Sequence, residues 1–161
     1  MKTILRRVAV VATVVATAGL VGAPAALAGG GHGDGGGRTI LAAELAGSLT
    51  TDPVLFQAAP GGADWVIGDG EARLRHDGRL DVKVKGLVLT STGANPVPQV
   101  AASVACNGAV VATTAVVPFS TTGDARIRAT VTLPQRCIAP VVLLNPRGNA
   151  AVYIGVTGTE D

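Results

Sequence analysis

Glu71-Ala72-Arg73-Leu74-Arg75-His76-Asp77-Gly78-Arg79-Leu80-Asp81-Val82-Lys83-Val84-Lys85 is the stretch whose pattern decides the fold class. Ala72 and Leu74 alternate with Glu71, Arg73 and Arg75, and then Leu80, Val82 and Val84 alternate with Asp81, Lys83 and Lys85. A period of two puts successive side chains on opposite faces of an extended chain, so each half reads as a strand with one buried face. Register then decides the loop between them. A turn made of Asp77-Gly78 alone would set Leu74 opposite Asp81 and force apolar and charged faces together. A His76-Asp77-Gly78 loop instead sets Arg73 opposite Asp81 and Glu71 opposite Lys83, with Leu74, Leu80 and Val82 sharing one face. Gly78 supplies the left-handed residue that such a loop requires. The outward charges read as a solvated face, since exposed pairs contribute only about 0 to 1 kcal/mol each.

The same period continues downstream. A second hairpin is expected from 100–106 and 109–117 around Asn107-Gly108, two residues that tolerate positive φ. That turn places Cys106 opposite Ala109 and Val104 opposite Val111. Further strands are expected over 125–133, with Ile127, Ala129 and Val131 inward and Arg126 and Arg128 outward, over 141–145 and over 152–157. Turn residues separate them at Thr122-Gly123-Asp124, Pro134, Asn145-Pro146-Arg147-Gly148 and Gly158. Residues 39–49 fit either period, because Leu41, Leu45 and Leu49 have helical spacing while Leu41, Ala43 and Leu45 alternate. Gly47 and the β-rich surroundings favour a strand. Many short strands with regular turns imply an all-β chain, an antiparallel β-sandwich, immunoglobulin-like or a small barrel, of about 8 strands.

The first 28 residues carry an export pattern: Lys2, Arg6 and Arg7, an uncharged apolar run, and Ala26-Leu27-Ala28 before the expected cut. The run spans about 14 residues, short of the roughly 20 that a membrane anchor needs. Arg6-Arg7 lacks the surrounding residues of a twin-arginine signal. Residues 29–37, Gly-Gly-Gly-His-Gly-Asp-Gly-Gly-Gly, read as a flexible tether, and 38–161 as one β domain. Without Lys2, Arg6 and Arg7 the chain keeps 10 basic and 11 acidic residues, and no basic run is visible. Nucleic acid, whose affinity comes largely from phosphate neutralisation, is therefore not expected as a partner. Nor is membrane insertion after cleavage.

Export makes a disulfide the expected state of Cys106 and Cys137, the chain's two cysteines. The closed loop contributes roughly 3 to 4 kcal/mol on a chain-entropy estimate. Two thiols so far apart are a poor zinc or redox site. His32 is the one candidate metal ligand: Gly30-Gly31-His32 would suit copper(II) or nickel(II), but only if Gly29 were trimmed. No cofactor is expected. Catalytic patterns are missing from the sequence too: no Gly-x-Ser-x-Gly, His-Glu-x-x-His or phosphate loop occurs, and His76 sits in a turn. Asp64 and Asp69 are a carboxylate pair, for which turn-capping or solvated roles are the simpler reading. Phe56, Trp65, Phe119 and Tyr153 read as core.

From Gly86 to Gly123 the chain carries no charge. Exposed sheet edges normally carry charges that block unwanted pairing. The hairpin is therefore either covered on both faces or presents Val111, Thr113 and Ala115 to a protein partner or a second copy of the chain. The export segment, the Gly/His tether and the charged hairpin resemble small secreted β-domain proteins of actinobacteria without assigned function. Leu80, Val82, Val84, Gly86 and Leu87 also resemble the opening strands of chordin-type (CHRD) domains, although Asn95-Pro96-Val97-Pro98 stands where that family has a histidine-containing segment. The resemblance implies an extracellular location and a sandwich-like fold, and carries over no functional residue. The expectation is a secreted, non-enzymatic structural or protein-interaction module at the cell surface. The alternative is an extracellular protein that binds a small ligand or metal.

Overall fold

Alternating apolar residues build nearly every long strand of this chain. The computed structural model describes residues 37–159. The expected export segment 1–28, residues 29–36 of the expected tether and His32 lie outside the described residues. In chain order the strands are Thr39–Gly47 (β1), Ala59–Pro60 (β2), Trp65–Val66 (β3), Asp69–Arg75 (β4), Arg79–Lys85 (β5), Val88–Leu89 (β6) and Gln99–Cys106 (β7). They continue as Ala109–Thr113 (β8), Val117–Pro118 (β9), Ala125–Thr130 (β10), Val141–Pro146 (β11), Val152–Tyr153 (β12) and Gly155–Thr157 (β13). The fold is all-β and its main sheet is antiparallel, in the order β10-β5-β4-β1-β13-β11-β7-β8, with β9 also paired to β7.

β1 makes the sheet curl. Its first part pairs with β4, Glu44 opposite Glu71, while Leu45 to Gly47 pair with β13. The two halves thereby face each other across one core, as in a sandwich. Ala72, Leu74, Leu80, Val82, Val84 and Ile127 from one half meet Val100, Ala102, Val104, Val142 and Leu144 from the other. A second, smaller cluster lies around Leu143, Tyr153 and Ala58, joined by Leu55 and Phe56. Burial pushes the Tyr153 phenol above its usual range, and the Asp52 charge adds to this; its hydroxyl donates to the Pro53 carbonyl at 2.8 Å. Trp65, Phe119 and Tyr153 are buried and Phe56 is partly buried, as expected of core aromatics.

The first hairpin follows the expected register: Arg73 faces Asp81, Glu71 faces Lys83 and Leu74 faces Leu80. Gly78 holds φ at 86°. Its amide donates to the Arg75 carbonyl at 2.9 Å and its carbonyl accepts from Val131 at 2.9 Å. That second bond ends β10 at Thr130, short of the expected 133, because the backbone of Val131 bonds to the turn instead of continuing along β5. Residues 152–157 also divide. Val152 and Tyr153 pair in parallel with β2, Gly155 and Val156 pair with β11, and Ile154 between them turns its side chain into the main core.

The second hairpin departs further from expectation. Asn107 and Gly108 adopt φ of 57° and 82°, and Cys106 faces Ala109, as the turn chemistry requires. Val104, however, faces Ala112 rather than Val111, because a register shift beside Ala105 leaves Val111 as an extra residue, a β-bulge. The expected strand 109–117 is interrupted after Thr113. There the Thr114 hydroxyl accepts from the Ala102 amide at 3.0 Å, while the Thr114 amide donates to the Ala102 carbonyl at 2.9 Å. Pairing resumes as Val117 opposite Val100 and ends with Pro118 opposite Gln99.

Candidate interaction surfaces

The uncharged run divides between two environments. β7 is covered on both faces, every residue from Val100 to Cys106 being buried. β8 is the last strand of the sheet and alternates between exposed and partly buried. Val111 is 37% exposed and Val116 42%, and Thr113 and Ala115 are exposed between them. Ser103 and Thr113 join their hydroxyls at 2.9 Å across the pair. Because Thr114 bonds inward to Ala102, the alternation of an antiparallel ladder turns the Thr113 amide and carbonyl outward. Val111 and Thr113 lie on this uncharged edge strand, and Ala115 is exposed just beyond its end.

This edge is held from its turn. Cys106 is bonded to Cys137, which follows β10. The Asn107 side chain donates to the Arg136 carbonyl at 2.9 Å and accepts from the Ile138 amide at 2.9 Å, gripping the backbone on both sides of that cysteine. The Asn107 amide adds a bond to the Ile138 carbonyl at 2.9 Å. A residue chosen by its turn conformation therefore also anchors the loop after β10. Nothing in the local sequence around Asn107 indicates that role.

A second surface escaped the linear reading. The outward residues of β4, β5 and β10 line a groove of about 610 Å³ that gathers Arg73, Arg75, Arg79, Arg126 and Arg128 around Glu71 and Asp81. The chain order shows no basic run, but pairing β10 with β5 puts Arg128 and Arg73 on either side of Asp81 in one cross-strand row. The pairing of β10 with β5 brings together arginines that form no run in the sequence. Arg126 grips Asp81 with two nitrogens, at 2.9 and 3.2 Å, and Arg128 approaches the same carboxylate at 3.5 Å. Burial raises the Asp81 pKa, but these two guanidiniums outweigh it and leave the carboxyl below its usual range. Arg79 bonds Asp77 at 2.9 Å. Among the described residues Arg73 and Arg75 have no ion-pair partner.

The carboxylates singled out in the sequence serve local structure. Asp64 accepts the Thr50 amide at 2.7 Å and its hydroxyl at 2.8 Å, which lower its pKa, and Asp69 pairs with Lys83 at 2.9 Å. Among the described residues no three His, Cys, Asp or Glu side chains group to hold a metal ion. Also among the described residues, no helix is long and apolar enough to cross a membrane. No family model, curated protein or solved structure matches this chain.

Proposed function

We propose that this chain is an exported, non-enzymatic interaction module that pairs with a second copy of itself through the β8 edge. The observation that carries the reading is the combination of a terminal strand, no charge from Gly86 to Gly123, and exposed Val111 and Val116 on that strand and its continuation. Edge strands that remain monomeric are usually protected by lysine, proline, inward charge, a bulge or shortness. This one is short and has the Val111 bulge, but carries no charge and no proline before Pro118. A two-fold contact would set the two Thr113 backbones against each other, with Val111, Ala115 and Val116 excluding water around them. The Val111 bulge limits ladder formation to the far half of the strand, so the contact is short and suits a reversible assembly. The Cys106–Cys137 bond supports a location with oxidising surroundings.

Light scattering after gel filtration over a dilution series tests this directly. The wild-type mass rises toward that of a dimer with concentration, while Val111→Lys and Thr113→Lys remain monomeric at the same melting temperature. A wild type that stays monomeric throughout, or lysine variants that associate as it does, overturns the proposal.

A further inference from the structure

We infer that the outer face of β4, β5 and β10 is a binding surface for a carboxylated polysaccharide. Its groove is charge-unbalanced: with Arg79 paired to Asp77, four arginines stand against Glu71 and Asp81. Guanidinium groups match carboxylates in a planar, two-nitrogen geometry, and the face itself displays that geometry where Arg126 grips Asp81. Arg73 stands across β5 from Arg128, and Arg75 two residues further along β4; both lack an acidic partner among the described residues. They are the places for carboxylates from outside.

Strand geometry spaces these groups as a grid, about 4.8 Å between strands and about 6.8 Å between alternate residues of one strand. A rigid grid of this kind suits a polymer with recurring charges better than a single small acid. Hydrogen-bond acceptors in the groove select among polymers. Glu71 and the Thr130 hydroxyl accept hydrogen bonds from sugar hydroxyls, which a chain that offers only phosphate lacks. No aromatic side chain lines the groove, so bases have no stacking platform and single-stranded nucleic acid is disfavoured. This surface is separate from β8 and does not depend on self-association.

The test uses the full chain on immobilised polygalacturonate. Wild type is retained at low ionic strength and released near about 1 M salt, where charges are screened beyond about 3 Å. Arg73→Glu with Arg75→Glu weakens binding at least about tenfold, equivalent to about 1.4 kcal/mol. Arg147→Glu, which makes the charge change of one of these substitutions outside the groove, alters binding less than Arg73→Glu or Arg75→Glu alone does. Thermal melting and light scattering are unchanged in the double variant, since both side chains point away from the core. If that variant does not fold, Arg73→Gln with Arg75→Gln replaces it, with the same loss of retention expected. The inference is overturned if wild type is not retained, or if retention survives a folded double variant. It is also overturned if a single-stranded oligonucleotide or polyglutamate competes better than soluble polygalacturonate.

Discussion

Replacing both Cys106 and Cys137 by alanine removes a cross-link between residues 31 apart in the chain. Closing a loop of that length in the unfolded chain removes about 12 cal/mol/K, or about 3.7 kcal/mol at 25 °C. Cys106 is 1% exposed and belongs to the main core, so the lost sulfur contact adds to that figure. The loop after β10 keeps its three bonds to Asn107 in the folded state, which confines the effect largely to the unfolded chain. Urea denaturation followed by tryptophan fluorescence is a suitable assay, because Trp65 is the chain's only tryptophan and is buried. With a slope of roughly 1 to 3 kcal/mol/M, the midpoint falls by roughly 1 to 4 M. Loss of less than about 1 kcal/mol would refute the reasoning and mean that the unfolded chain is already constrained without the bond.

Asn107→Gly keeps the turn but deletes two side-chain hydrogen bonds, and it costs about 1 to 3 kcal/mol in denaturant melts; an unchanged midpoint would remove Asn107 as an anchor. Gly78→Ala places a methyl group against the Val131 carbonyl at positive φ and lowers stability by about 2 kcal/mol or more, whereas Gly62→Ala, with open space around it, does not. Leu74→Ala, at the centre of the core, costs about 2 to 5 kcal/mol by the same assay. Acid sensitivity follows from carboxylates held below their usual range. The Thr50 amide and hydroxyl lower Asp64, the Gly37 and Arg79 amides lower Asp77, and the Thr122 hydroxyl and Gly86 amide lower Asp124. Depressed folded values mean that their stabilisation is complete above the unfolded value of about 3.9 and is lost as pH falls through the folded ones. The melting temperature is therefore level from about pH 7 to 5 and drops below about pH 4; a level profile to about pH 3 would contradict it.

The first hairpin was fully legible because its register is forced: a one-residue slip would turn charged side chains into the core. The disulfide was legible by elimination, with two cysteines and an expected oxidising location. The bulge was not. Val110-Val111-Ala112 offers small apolar residues at every position, so no polar side chain marks where the period breaks. Thr114 read as one more strand residue, although its hydroxyl replaces a backbone partner of β7. No sequence signal marks Asn95, yet it is buried and ties the Val97 and Ser120 carbonyls together at 2.8 and 2.7 Å. The arginine groove was hidden for a different reason. The outward direction of Arg73, Arg126 and Arg128 was readable strand by strand, but Arg126 meets Asp81 across 45 residues of chain. Only the long-range pairing of β10 with β5 assembles the surface.

Hydrogen exchange at the β8 edge, measured against protein concentration, addresses the interaction role most directly. Self-pairing slows exchange of the outward Thr113 amide and its neighbours to Val116 as concentration rises, and Val111→Lys abolishes that change while leaving β4 and β5 amides protected. Exchange at these amides that is fast and independent of concentration, in wild type and variant alike, would contradict it.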